Sequence, residues 1–280
     1  MIDRLQVQAF VEMALAEDIG FCDLTSELVI PAHATAEFAI NARHAMTIAG
    51  LPVAEAVFRR YVPEAKFEAR VEDGAKAGKG DVLARVTGPA RGMLSAERTA
   101  LNILQHLSGI ATLTAQYVER IAGTRAVLLD TRKTTPGLRM LEKHAAAVGG
   151  AKNHRLGLAD GVLIKDNHIA VCGSIAAAVA QAKKRIPVLT KIEVEADRLD
   201  QVAEALAAGA DMILLDNMSL DQLREAVRMT AGRIPLEASG GVNLDTIGAI
   251  AQTGVDYISV GRITQSAPAV DIGLDEVIRA

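Results

Sequence analysis

Residues 126–168 read AVLLDTRKTTPGLRMLEKHAAAVGGAKNHRLGLADGVLIKDNH. Two apolar runs bound this stretch, Ala126-Val127-Leu128-Leu129 and Gly161-Val162-Leu163-Ile164. Each has the length of a short buried strand. Each ends on charge, Asp130-Thr-Arg-Lys after the first and Lys165-Asp166-Asn-His after the second. Charge at the downstream end of a buried parallel strand marks a site, because that end opens on solvent while the strand interior does not. Seven Lys or Arg residues fall between 130 and 168 (Arg132, Lys133, Arg139, Lys143, Lys152, Arg155, Lys165), against four carboxylates (Asp130, Glu142, Asp160, Asp166). Three of the six histidines lie there too. A basic cluster in a chain of net charge −4 points to an anionic ligand; a solvated basic surface is the plainer alternative.

Toward the C-terminus the pattern repeats. The runs AVLLD, GVLIKD, LTKIEVE, DMILLD, IPLEAS and YISVG alternate with helical patterns at 138–147, 173–185, 197–208, 219–231 and 243–253. Such alternation means parallel strands joined by right-handed crossovers. Six units are fewer than the eight of a closed barrel, so the expected architecture is an open, incomplete α/β barrel of about six parallel strands. Its strand ends carry Asp130, Arg132 and Lys133, then Lys165 and Asp166, Glu193 and Glu195, Asp216, Glu237 and Ser239, and Gly261. Glu193 and Glu195 share one strand face by the period of two. Ser239-Gly240-Gly241 precedes a helix, and Ser259-Val260-Gly261 closes the final strand. Glycine amides and a helix N-terminus at the last strands of a barrel cradle phosphate.

Upstream, 5–17 has helical spacing, and Asp23-Leu-Thr-Ser offers a cap for a turn. Residues 34–49 alternate as a half-buried strand pair, and Pro52 opens a short helix to 61. Residues 66–94 hold short strands between Asp-Gly, Gly-Lys-Gly and Gly-Pro turns. They resemble the hammerhead of biotinyl and lipoyl carriers, but neither Lys76 nor Lys79 has the Met-Lys-Met-like setting of a modified lysine, so a structural β-rich domain is expected. Residues 95–121 read as one long helix with Ser95 as N-cap, packing through Leu101, Leu104, Gln105, Leu107 and Ser108. His106 on that helix is expected at the surface. The expected division is an N-terminal α/β sandwich domain over 1–108, a barrel over 109–267, and 268–280 packing back on the first domain.

Composition narrows the function class. Half the residues are hydrophobic, only 3% are aromatic and Trp is absent, so Ala, Leu, Val and Ile fill the core, as suits α/β layers. An acidic chain argues against nucleic acid. Two cysteines, Cys22 and Cys172, with no CxxC and no zinc spacing, fit a reducing cytoplasm; Cys172 is expected in the core. MIDRLQVQAF lacks the apolar core of a signal peptide, and no apolar run reaches the roughly 18 residues of a membrane helix, so a cytoplasmic protein without membrane contact is expected.

The site residues describe a ligand. Arg132, Lys133, His154, Arg155 and Lys165 ask for carboxylates at one end. Glu195 and Asp216 suit sugar hydroxyls or a Mg²⁺ that also holds pyrophosphate. The glycine pairs suit a phosphate. No Ser/His/Asp triad, GxSxG, Walker A or HExxH motif is present.

Asp130-Thr-Arg-Lys-Thr-Thr-Pro-Gly, Lys152-Asn-His-Arg-Leu-Gly-Leu, Leu163-Ile-Lys-Asp-Asn-His, Ile192-Glu-Val-Glu, Ile213-Leu-Leu-Asp-Asn and Glu237-Ala-Ser-Gly-Gly-Val together resemble the quinolinate phosphoribosyltransferase family. Ala96-Glu-Arg-Thr-Ala-Leu-Asn and Glu17-Asp-Ile-Gly resemble it too, and the likeness runs in order from about residue 10 to 270. The resemblance implies an N-terminal α/β sandwich, an open α/β barrel and a homodimer. It implies joining of quinolinate to phosphoribosyl pyrophosphate, with release of pyrophosphate and CO₂, in NAD synthesis. Thr131, Arg132, His154, Arg155 and Lys165 would hold quinolinate. Arg98 would reach the partner's site. Lys133 would contact pyrophosphate or substrate, and Glu195 and Asp216 would face the ribose, with Mg²⁺ on them partly through substrate. Ser239, Gly240, Gly241, Ser259, Val260 and Gly261 would cradle the 5′-phosphate.

Ala147-Val148-Gly149-Gly150-Ala151 departs from the family's Arg-Cys-Gly-Gly-Gly, and Phe21-Cys22-Asp23 stands where the family favours Gly before Asp. A molybdenum-transport-associated paralogue of the same fold, a Schiff-base aldolase barrel using Lys165, and a non-catalytic phosphosugar-binding module are the alternatives. Retention of Asn153-His154-Arg155 and Lys165-Asp166-Asn167-His168 favours the quinolinate enzyme.

Overall fold

The computed structural model describes residues 4–277. Among them, contacts gather into two compact units. One runs to Ala115 and takes in Thr135–Gly149 and the segment from Ser266; the other holds Gln116–Thr134 and Gly150–Gln265. The sequence reading drew its line at 108/109. The contact division falls at 115/116, seven residues further along the same long helix, and it returns 135–149 to the first unit. Residues 1–3 and 278–280 of the expected first domain lie outside the described residues.

The first unit begins with α1 (Arg4–Ile19) and α2 (Leu24–Val29). Asp23 caps α2, its carboxylate accepting from Ser26 N–H at 3.1 Å. Then follow β1 (Thr35–Ala42), β2 (Met46–Thr47), α3 (Leu51–Tyr61), β3 (Lys66–Ala69), β4 (Lys76–Ala77), β5 (Val82–Pro89) and α4 (Ala90–Arg120). The expected strand pair over 34–49 does not form: β1 joins β5, and β2 pairs with β4 in a separate ribbon. α4 starts before Ser95 because nothing after Pro89 breaks the helical pattern. Ser95 therefore lies inside the helix, donating to Arg91 O and Asp23 Oδ2, each at 2.9 Å, and is not its cap.

Leu101, Leu104, Leu107, Ile110 and Ala111 of α4 are buried, at the three- and four-residue spacing of one helix face. Each large side chain contributes about 1.5–3 kcal/mol by leaving water. Ser108 on the same face is fully buried and satisfied, accepting from Ala49 N–H at 3.0 Å and donating to Ala49 O at 3.2 Å. Gly109 is required by close approach, since a Cβ there would lie 2.2 Å from Pro268 O.

β6 (Val127–Leu129) belongs to the second unit, and α5 (Arg139–Val148) to the first. Two bonds explain that placement of α5. Buried Glu142 meets His106 Nε2 at 2.8 Å, and His144 Nε2 lies 3.0 Å from Asp73 Oδ2. His106 is thus partnered, where the surface was expected.

The second unit continues with β7 (Val162–Ile164), α6 (Asp166–Cys172), α7 (Ile175–Lys183), β8 (Ile192–Ala196), α8 (Leu199–Ala208), β9 (Met212–Asp216), α9 (Leu220–Thr230), β10 (Leu236–Ser239), α10 (Ile247–Ala251), β11 (Tyr257–Ser259) and α11 (Arg262–Gln265). Its described sheet has six parallel strands in the order β6-β11-β10-β9-β8-β7. The two edges, β6 and β7, are consecutive strands, so this is the expected incomplete barrel. Lys152 covers the β6 edge, its N–H donating to Leu128 O at 2.8 Å. α6 was not expected as a separate helix; Gly173 ends it in the left-handed region. Cys172 at its end is exposed, not core. The chain then returns to the first unit. β12 (Ile272–Glu276) pairs antiparallel with β1 and completes the sheet β12-β1-β5-β3. Among the described residues no helix is long and apolar enough to cross a membrane.

Candidate active site

The downstream ends of all six barrel strands open on one cavity of about 860 Å³. Of the strand-end and loop residues named from the sequence, Thr131, Arg132, Lys133, His154, Arg155, Lys165, Glu195, Asp216, Glu237, Ser239, Gly240, Gly241, Ser259, Val260 and Gly261 line it, while Asp130, Asp166 and Glu193 do not. Parallel strands in register produce this convergence, because their carboxyl ends finish together at one rim. Arg98 is elsewhere, on α4, with its side chain 57% exposed.

The cationic end is built after β6 and before β7. Asp130 is fully buried and faces away from any ligand. It accepts from His154 N–H at 2.8 Å and Asn153 Nδ2 at 2.6 Å, so it shapes the loop that presents His154 and Arg155. Arg132 Nε is buried with no hydrogen-bond partner among the described residues. A buried guanidinium donor left open in a cavity wall suits an incoming carboxylate. Arg155 donates to Gly161 O at 3.1 Å, and burial, with the charge of Arg132, holds it below the usual guanidinium range. His154 Nε2 points at Glu193 Oε2, 3.0 Å away, and Glu237 Oε2, 3.4 Å away.

At the ends of the neighbouring strands β7 and β8, Lys165 is ion-paired with Glu195. Asp216 ends β9 and accepts from Asn217 Nδ2 at 2.8 Å. These oxygen donors, opening on a cavity wide enough for water, fit a Mg²⁺ ion, which prefers carboxylates and retained water.

The glycine turn follows β10. Gly240 has φ +92°, and a Cβ there would lie 2.2 Å from Asn217 Oδ1 and 2.8 Å from Asn217 N, so only glycine fits. Asn217 itself has φ 54° and donates its N–H to Ser239 O at 3.0 Å, locking the two neighbouring turns together. Ser259 Oγ donates to Ser239 Oγ at 2.9 Å.

Family comparison agrees with this geometry. Residues 23–108 match the quinolinate phosphoribosyl transferase N-terminal domain, and 110–275 match its C-terminal domain. The chain belongs to the quinolinate phosphoribosyltransferase family. It is 42% identical over 274 residues to a probable nicotinate-nucleotide pyrophosphorylase [carboxylating] of Bacillus subtilis, covering 98% of this chain and 94% of that protein. It is 44% identical over 271 residues to the nicotinate-nucleotide pyrophosphorylase [carboxylating] of Mycobacterium leprae, covering 95% of each. Its fold matches the nicotinate-nucleotide pyrophosphorylase structure from Francisella tularensis with TM-score 0.96 at 39% identity, covering 99% of this chain and 98% of that one. It matches the Ehrlichia chaffeensis structure with TM-score 0.92 at 43% identity, covering 96% and 98%.

Within this quinolinate phosphoribosyltransferase fold, sequence reasoning missed several wall residues. Leu163, Leu214 and Val242 supply apolar wall; Asn217, Asn243, Arg262 and Gln265 supply polar wall. The signal for Asn217 was present, since it directly follows a strand-end aspartate. Arg262 and Gln265 sit on the short α11, which no periodicity announced. Ala147 to Ala151, where the chain departs from the family pattern, does not line the cavity. His168 turns back to its own helix, accepting from Lys165 N–H at 2.9 Å.

Proposed function

We propose that this chain transfers the phosphoribosyl group of phosphoribosyl pyrophosphate to quinolinate, with loss of CO₂, giving nicotinate mononucleotide and pyrophosphate for NAD synthesis. One observation carries the reading: a single cavity presents cations, carboxylates and a glycine turn in that order around its rim. Arg132, His154, Arg155 and Lys165, with Thr131, form the end for the dicarboxylate. Lys133, Glu195 and Asp216 face the reacting ribose. Ser239, Gly240 and Gly241, with Ser259, Val260 and Gly261, take the 5′-phosphate through backbone N–H groups.

The chemistry follows from these placements. The bond from ribose C1 to the pyrophosphate oxygen breaks as the pyridine nitrogen bonds to C1. Positive charge develops on the ribose between them, and Glu195 and Asp216 stabilise it. Lys133 neutralises the departing anion. Mg²⁺ held by Glu195 and Asp216, partly through substrate, would neutralise further charge on the pyrophosphate. As CO₂ departs, the positive pyridinium nitrogen stabilises the electron pair left on the adjacent carbon, and that pair then takes a proton. No side-chain nucleophile is required. A Schiff-base role for Lys165 is disfavoured, since its ammonium is half exposed and paired with Glu195, not desolvated.

We further propose a cytoplasmic homodimer, with the exposed Arg98 entering the partner's cavity. The test is to incubate the protein with quinolinate, phosphoribosyl pyrophosphate and Mg²⁺ and follow CO₂ and nicotinate mononucleotide together. Equal yields are expected; phosphoribosyl pyrophosphate binding without product defeats the reading and favours another acid. For the dimer, mixing inactive Arg98→Ala and Arg132→Ala chains restores activity, because one hybrid site has both arginines. No recovery in mixed dimers would place Arg98 outside the site.

A further inference from the structure

Beneath the mouth of the cavity lies a second layer. Glu193 on β8 and Glu237 on β10 stand two residues before Glu195 and Ser239, so they face the same way one step deeper. Their side chains are 8% and 1% exposed, and His154 Nε2 lies 3.0 and 3.4 Å from them. Glu193 Oε1 and both Glu237 oxygens are buried without a hydrogen-bond partner among the described residues. Two carboxylates this close and this dry both stay ionised only beside a positive charge; without one, one of them keeps its proton.

His154 is the group placed to supply it. The other charges around it are accounted for. Asp130 at the β6 end is occupied by the His154 and Asn153 donors. Lys165 beyond β7 faces Glu195, and Asp211 before β9 accepts from Ile192 N–H at 2.8 Å. Lys152 and Lys191 line a smaller cavity of about 230 Å³, which His154 and Glu193 also line. Arg132 and Arg155 remain. If His154 were neutral, Glu193 and Glu237 would offset the charges of those two arginines and weaken the field met by an arriving anion. A charged His154 leaves one positive charge over.

We propose that Glu193 and Glu237 are positioning residues that hold His154 as a fixed cation under the anion end of the cavity, and that this charge sets affinity for the acid. The naming of that acid as quinolinate rests on the function proposed above. The titration of His154 supports the geometry. Burial lowers it, and the hydrogen bond to Glu193 with the nearby charges of Glu193 and Glu237 outweighs burial, raising it to about 10. One contact opposes the proposal: Arg155 N–H lies 2.8 Å from Nδ1, which suits a lone pair there. Two full charges beside Nε2 outweigh one amide dipole, so the amide yields to the proton.

The deciding measurement is ¹⁵N NMR of His154 in the ligand-free protein at pH 8. Both ring nitrogens are expected to be protonated in the parent chain, and Glu237→Gln should lose the imidazolium near neutral pH. In parallel, KM for quinolinate should stay flat from pH 6 to 9 in the parent. In Glu237→Gln it should climb about tenfold per pH unit above the lowered His154 pKa, with kcat little changed. A structural defect would instead depress kcat at every pH. A neutral ring with unprotonated Nδ1 at pH 8 overturns the proposal whatever the enzyme does with quinolinate. So does a flat KM profile in Glu237→Gln. A charged ring in a protein that ignores quinolinate overturns the affinity claim together with the proposed function, and leaves the positioning standing. If Glu237→Gln fails to fold, Glu193→Gln and the parent's NMR titration still decide.

Discussion

Glu195 and Glu193 stand two residues apart on one strand and face the same way, yet they live differently. Glu195 is 15% exposed, meets Lys165 at the end of the adjoining strand and opens on the cavity. Glu193 is nearly dry, shares His154 with Glu237, and burial holds its carboxyl above the usual range. Period two aims both side chains inward; depth then divides them. The rim layer handles ligand, and the layer beneath shapes the field that the rim works in.

The largest effect expected is at Arg132, half-buried with its Nε fully so. Arg132→Ala should lower kcat/KM by about 10³-fold, on the order of 4 kcal/mol, because it deletes a buried donor aimed at a carboxylate. Steady-state kinetics read it. A loss under tenfold would break the claim that buried cations outweigh the exposed Lys165.

Stability separates the two glutamates next. Glu193→Ala strands His154 and Glu237 and should cost about 3–5 kcal/mol. Glu195→Ala removes a pair whose lysine is half exposed and should cost no more than about 1 kcal/mol. Urea unfolding of both variants measures the gap, and equal costs would erase the distinction between layers.

The pH dependence of folding sharpens the same point. His154 rises from an ordinary 6.5 to about 10 in the folded chain. A raised histidine stabilises fully below its unfolded value, and that contribution is lost as pH rises through the folded one. Between pH 6.5 and 10 the parent should therefore lose on the order of a few kcal/mol that His154→Gln does not lose. Parallel unfolding curves at the two pH values provide the comparison; an identical loss in both chains would return His154 to an unperturbed state. Smallest of all, Cys172→Ser should change stability by no more than about 0.5 kcal/mol, since the thiol is exposed at the end of α6.

Much of the barrel could be read from local pattern. Short apolar runs ending in charge located the strands, and parallel register brought Lys165, Glu195, Asp216 and Ser239 to one rim. The first unit was harder. Alternation over 34–49 showed strands and could not show that β1 and β2 join different sheets, because partners lie far along the chain. Cys172 misled for a related reason: its apolar neighbours allow a core position, and only the seating of α6 exposes it.

From sequence alone came the direction the strand-end side chains take, the glycines of the turn after β10, and the family. Directions follow from backbone period, and Gly240 from a conformation other residues resist. Tertiary structure alone decided which charges would be dry. It placed Glu237 in contact range of His154 across 83 residues of chain and left its oxygens without another partner. Burial and charge pairing depend on how a sheet closes, and no window of sequence contains that closure.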